Sequence, residues 1–193
     1  MITAMNLPLP GKTYLPILAL LLYAAAVVAD DKYDIIIIKS RQELDVVRGE
    51  QVIKQYRIAY GKGGHGPKRV QGDSKTPLGV YRIINFRDNS NFHYFMHLDY
   101  PNLLDAWYGY KNNIITATEF KEIANAYKYR QAPPQYTRLG GNIGIHGLGK
   151  VTKERLKKHA VFNWTNGCIA LTNEQIIDLK KYVSIGTRVV IRE

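Results

Sequence analysis

Cysteine is nearly absent: one residue, Cys168, serves a chain of 193. A single thiol excludes an internal disulfide, so in an oxidising compartment Cys168 is either an inert core residue or a working one. Long apolar runs are missing too. Leu15 to Val28 spans fourteen residues, short of the ~20 that cross a bilayer as a helix. Lys12 precedes this run and small residues lead to Ala29, a pattern that predicts a secretory signal peptide over residues 1–29, with a membrane anchor as the competing reading. No cysteine directly follows the run, which argues against a lipid anchor. Acidic residues are few, 16 against 27 Lys and Arg. Only Lys12 precedes Asp30, so residues 30–193 carry 26 of those cations and a net charge near +10. Such a surface attracts polyanions. No zinc finger, helix-turn-helix or glycine-rich RNA motif accompanies it, so the expected partner is an anionic cell envelope and not nucleic acid, unless the basic residues are simply a solvated face. Repeats, low-complexity tracts and linkers are also lacking, and with 46% apolar residues the chain suits one domain over residues 30–193.

What is present centres on Gly141 to Ala170. His146 stands between Ile145 and Gly147, and Asn166-Gly167 precedes Cys168. Asn-Gly is poor core sequence, which favours a working thiol over a buried one. A thiol needs a neighbour to remove its proton, and histidine is the usual partner. Gly167 permits a tight turn before the sulfur, and the backbone N–H groups of Gly167 and Cys168 are the expected oxyanion donors.

The Ile145-His146-Gly147 and Trp164-Thr165-Asn166-Gly167-Cys168-Ile169-Ala170 segments resemble the catalytic signature of the L,D-transpeptidase (YkuD-type) domain. Upstream, Gly72-Asp73-Ser74-Lys75-Thr76-Pro77-Leu78-Gly79-Val80-Tyr81 is similar to the same family's G-D-x-x-T-P-x-G-x-Y block. The three blocks occur in order, and the likeness runs from about Tyr33 to the carboxyl terminus. It implies a mainly β, α+β fold, a mixed β-sandwich with two or three accessory helices. The implied chemistry is acyl transfer on peptidoglycan stem peptides through a thioester on Cys168, with His146 as acid and base and no metal or organic cofactor. An L,D-carboxypeptidase or other hydrolase of the same fold, trimming stems or releasing wall-linked proteins, is the alternative, and a non-catalytic wall-binding protein is the further one. The expected place is the periplasm or cell wall, peripheral to the envelope. Many relatives carry arginine two residues after the cysteine, where this chain has Ala170. Its lack resembles a branch with Tyr-Pro-Asn, here Tyr100-Pro101-Asn102. Arg138, Lys150 or Arg155 are the candidates to supply that charge, and Thr165, Asn166 and Gly147 the remaining candidates for substrate contact.

Local patterns predict the elements. Tyr33 to Lys39 is a β-branched strand, and Glu43–Val47 with Gln51–Tyr60 reads as a hairpin. Strands are expected over Val80–Phe86, Phe92–Leu98, Asn142–His146 and Thr187–Arg192. Capping boxes at Thr116 and Thr172 predict helices over 117–129 and from Asn173 through Val183, and Thr152–His159 a basic helical turn. The 116–135 segment reads as an insertion whose helix packs on the sheet, with a lid over the site as the alternative. Among the other histidines, His65 and His159 fall in polar segments taken as mobile. His93 and His97 are spaced i, i+4, but in a strand-like run that lacks further ligands for a metal. With His146 beside it, Cys168 is expected to be a thiolate reactive at pH 6 to 7.

Overall fold

The computed structural model describes residues 32–193, so the signal peptide expected over 1–29 lies outside the described part. The chain runs β1 (Asp34–Ile38), β2 (Glu43–Arg48), β3 (Gln51–Arg57), β4 (Gly79–Ser90), β5 (His93–Leu98), α1 (Leu103–Lys111), α2 (Ala117–Lys128), β6 (Gly144–His146), α3 (Lys153–Val161), β7 (Ile169–Ala170), α4 (Asn173–Leu179) and β8 (Arg188–Arg192). β1 forms because isoleucine side chains pack well on a pleated surface, and its alternation buries Ile35 and Ile37 completely.

The strands make an eight-stranded mixed sheet in the order β3-β2-β1-β8-β4-β5-β6-β7. β1 with β8 and β6 with β7 are parallel pairs, the rest antiparallel. β4 joins the two halves, pairing Gly79–Arg82 with β8 and Ile83–Ser90 with β5. The chain leaving β3 then reaches round to β7, where Ala59 and Ala170 exchange backbone hydrogen bonds of 3.1 and 2.8 Å. The sheet therefore curls on itself around one core that includes Leu44, Ile58, Tyr81, Met96, Ile145 and Ile191. With four helices outside it, the fold is the expected mainly β, α+β class.

Each of the four helices differs from expectation in some respect. α1 was not anticipated: its cap is Asn102, which accepts from Leu104 N and Asp105 N while Asp105 returns a bond to Asn102 N. Its sequence hides the helix because Leu104, Trp107 and Tyr110 point outward, so no apolar stripe marks the buried side. α2 has the predicted capping box, Thr116 with Glu119, but packs against α1 and not on the sheet, sharing a small core of Ala106, Ile115, Ile123 and Leu139. The turn expected at 152–159 is a full helix, α3, capped by Thr152 Oγ1 at 3.2 Å from Arg155 N. α4 ends earlier than expected and continues as a 3-10 turn over Lys180–Tyr182.

Candidate active site

Strand register builds the site. Across β4, β5, β6 and β7 the pairs Arg87↔Phe95, Phe95↔His146 and His146↔Ala170 line up as one row. The adjoining row of the same face runs Asn85↔His97 and His97↔Gly144. Ile145 pairs with Ile169, so one further step back along β6 and β7 sets Cys168 beside Gly144 in that second row. Residues two apart on a strand share a face. Cys168 and His146 thus stand on one face of neighbouring parallel strands, diagonal to each other. The row between them, Met96, Ile145 and Ile169, is fully buried on the opposite face and anchors both strands in the core.

His146 is 2% exposed and enclosed by rings, Phe92 at 4.2 Å, Phe95 at 6.0 Å and nearly parallel, and Trp164 at 6.1 Å and edge-on. Its Nδ1 lies 2.7 Å from the Gly147 carbonyl oxygen. A carbonyl only accepts, so Nδ1 carries the hydrogen and Nε2 keeps the lone pair a base requires. Burial lowers the ring's pKa from 6.5 to about 4; the Gly147 bond opposes this, and the charges of His159 and Arg155 add to it.

Cys168 is half-buried, with Sγ 3.5 Å from the Asn142 carbonyl. Burial pushes its pKa from 9.0 to about 11, against the pull of a Gly144 backbone bond and of the Lys68 and Arg87 charges. The resting pair is therefore a neutral thiol beside a neutral imidazole. The thiolate expected at pH 6 to 7 is not the favoured resting form, because burial of the sulfur outweighs the pull of Lys68 and Arg87.

The turn before the sulfur depends on Gly167. Its φ is 135°, and a Cβ there would come 2.9 Å from the Lys75 carbonyl oxygen. Thr165 ties the turn together, its hydroxyl donating to Cys168 O at 2.6 Å and accepting from Gly167 N at 3.2 Å. The upstream block reaches the same place. Asp73 accepts from the N–H groups of Arg69, Val70 and Lys75 and from Lys68 Nζ at 2.8 Å, clasping the loop that lies against Gly167. Burial alone would raise the Asp73 carboxyl, but these donors outweigh it and hold it below its ordinary value. All three sequence blocks converge on Cys168.

A family model for the L,D-transpeptidase catalytic domain, YkuD, matches residues 32–191. The chain belongs to the L,D-transpeptidase catalytic domain family. Among curated relatives, the "Putative L,D-transpeptidase YafK" of Escherichia coli (strain K12) is 33% identical over 85 residues, 41% of this chain and 35% of its own length. Among solved structures, Bd1075 of Bdellovibrio bacteriovorus is similar with a TM-score of 0.52 and 22% identity, covering 83% of this chain and 48% of that one. Pgp2 of Campylobacter jejuni, described as a helical cell shape determining protein, gives 0.53 and 21% over 84% and 48%. The match thus spans about a third of the curated relative and half of each solved structure; the last two, at such low identity, speak to the fold alone.

Within this L,D-transpeptidase domain the sequence-nominated residues fare differently. Gly147 is buried, holding His146 with its carbonyl and Tyr94 O with its N–H at 3.1 Å. Thr165, 4% exposed, shapes the turn, with its one hydroxyl hydrogen committed to Cys168 O. Asn166 is exposed beside it. Arg138 and Lys150 are exposed on the surface, and Arg155 is spent on Leu148 O at 2.8 Å and Lys150 O at 3.1 Å. The cations acting on Cys168 are Lys68 and Arg87, which sequence reasoning missed because both become neighbours of Cys168 only through long-range pairing. His159 also differs from expectation: it is 8% exposed, in α3, with Nδ1 at 3.4 Å from the Trp164 indole nitrogen. His65 is exposed and paired with Glu193. His97 is half-buried against Gln135 Oε1 at 3.2 Å, so the tail of the 116–135 segment touches the site although α2 does not cover it. Among the described residues no group of three or more His, Cys, Asp or Glu could hold a metal ion.

Basic residues gather elsewhere. Lys32, Arg48, Arg82, Arg130, Lys181 and Arg188 line a broad cleft of about 1190 Å³ that shares no residue with the thiol's surroundings.

Proposed function

We propose that this domain transfers an acyl group from a peptidoglycan stem peptide through a thioester on Cys168, with His146 as base and then acid. The observation that carries the reading is the diagonal pair on one sheet face, with Nδ1 of His146 committed to Gly147 O and Nε2 therefore left as the basic atom. Cys168 Sγ attacks the carbonyl of the stem's third residue as its proton passes to Nε2. The S–C bond forms, the C–N bond to the terminal D-amino acid breaks, and Nε2 returns the proton to the leaving amine. Moving the proton during attack avoids an isolated ion pair in a buried cleft, which suits a thiol raised to about 11 and an imidazole lowered to about 4. The Gly167 N–H already donates to Thr165, so of the two N–H groups expected to hold the oxyanion, Cys168 N–H is the one assigned here. An amine acceptor gives transpeptidation and water gives carboxypeptidation or release of a wall-linked protein, all from one thioester. The net charge near +10 over residues 30–193 suits an exported protein held at an anionic envelope, delivered there by the 1–29 signal peptide. Because altered stems change the wall that sets cell form, the proposal extends to a part in cell shape.

The test is mass analysis of muropeptides after incubation of the protein with peptidoglycan. New cross-links or exchanged terminal D-residues mark a transpeptidase, and shortened stems alone mark a carboxypeptidase. Both products should vanish in Cys168→Ser and fall by ~10² to 10⁴ in rate in His146→Ala. Unaltered muropeptides with the native protein would leave only a wall-binding role.

A further inference from the structure

The face that carries Cys168 and His146 also carries a cation that has no ion-pair partner among the described residues. Arg87 is exposed on β4, at the far end of the row that passes through Phe95 to His146, with its guanidinium 4.8 Å from the centre of the Phe95 ring. The Phe95 ring stacks in turn on His146, so the guanidinium, the ring and the imidazole follow one another across the sheet.

The neighbouring charges are already matched. Lys68 donates to Asp73 Oδ1 and Val70 O, and Arg155 caps two carbonyls. Asp88, next to Arg87 in sequence, faces Lys180 at 3.5 Å. Among the described residues no carboxylate lies within ion-pair distance of Arg87. Its charge nonetheless acts on both Cys168 and His97, the two residues that flank Gly144 in the adjoining row. A guanidinium over an aromatic ring is held by its flat face, and its in-plane N–H fork stays free for a planar, bidentate anion.

We propose that Arg87 forms a carboxylate subsite that selects an acyl donor bearing a free carboxylate close to the bond cut by Cys168. This rests on the reading of Cys168 as the nucleophile. It assigns to β4 the positive charge that Ala170 cannot supply from β7, approaching His146 from the opposite strand.

Because the chain has one cysteine, its alkylation reports on this subsite without any peptidoglycan chemistry. The measurement is the ratio of the rate constants for iodoacetate and iodoacetamide at Cys168 in the full chain, followed by intact mass. The two reagents differ only in a carboxylate against an amide, so a change in thiol pKa moves both rates and leaves the ratio alone. Arg87→Gln should lower the ratio about three- to ten-fold, the size expected from one nearby charge in a partly hydrated cleft. Arg87→Lys should fall between, and Lys157→Gln on α3 should leave the ratio as in the native chain. A ratio unaltered in Arg87→Gln, with a native circular dichroism spectrum, would overturn the subsite. A second arm compares a tetrapeptide donor as its free acid and its carboxyl-terminal amide. Arg87→Gln should raise KM for the acid several-fold and leave the amide unaltered, and an equal loss with both would overturn the selection. A lowered alkylation ratio with neither donor turned over would uphold the anion subsite and sink the stem-peptide reading instead.

Discussion

Gly147 orients His146 with its own backbone: the carbonyl one residue along the chain accepts from Nδ1 at 2.7 Å, where a carboxylate would orient the ring in a Ser-His-Asp arrangement. Carbonyl position then depends on how closely Gly147 is packed. A Cβ at this position would meet Asn173 Oδ1 and Phe92 O, each at 2.8 Å. Gly147→Ala should therefore shift the segment and reduce acylation of Cys168 by ~10-fold or more. Stopped-flow acylation by a carbapenem, a β-lactam class that acylates this family, reads the effect. A native rate in a folded variant would show that the carbonyl does not set the ring.

The neutral resting pair makes a pH prediction of definite sign. With the thiol raised to about 11, thiolate is scarce at pH 6 to 7, and a proton on His146 is scarce above pH 5 because the ring sits at about 4. Iodoacetamide labelling should climb steadily from pH 7 to 10, without the neutral plateau of a thiolate–imidazolium pair. A plateau between pH 6 and 8 would mean the ion pair exists at rest.

Thr165 fastens the turn before Cys168. Thr165→Val keeps the shape but strands Cys168 O and Gly167 N, buried groups whose loss of a partner costs about 1–3 kcal/mol in total stability. Urea unfolding should register that cost and carbapenem acylation should slow with it, while Thr165→Ser restores most of both. Native stability and rate in the valine variant would count against the assignment.

Asp105 offers a second titration far from the thiol. Burial raises its carboxyl from 3.8 to about 6, despite bonds from Asn102 N and the Tyr81 hydroxyl. A raised folded value means that stability is fully present below pH 4 and is lost as pH climbs through about 6. Between pH 4.5 and 7.5 the native chain should lose about 2 kcal/mol more than Asp105→Asn does. Urea unfolding at the two pH values measures it, and equal losses would place the Asp105 carboxyl near its ordinary value.

Much of the fold was legible because its signals are local. The β1 run, the β2–β3 hairpin and the capping boxes of α2 and α4 each depend on residues within a few positions, and the structure has them close to where the patterns put them. His146 and Cys168 stood out for similar reasons, a histidine at a strand end and a lone thiol after a glycine. α1 was missed since its outward Leu104, Trp107 and Tyr110 invert the usual apolar stripe. His159 looks polar in sequence, yet packing beside Trp164 buries it. Arg87 and Lys68 lie 81 and 100 positions before Cys168 by residue number, and nothing local links them to it. Composition, spacing and turn chemistry thus determined by themselves most of the strands, the caps of α2 and α4 and the candidate nucleophile. Only the tertiary structure decided which cations and which protonation state accompany that thiol and its histidine. Those depend on cross-strand register and on burial, which arise when segments far apart in sequence exclude water from one another.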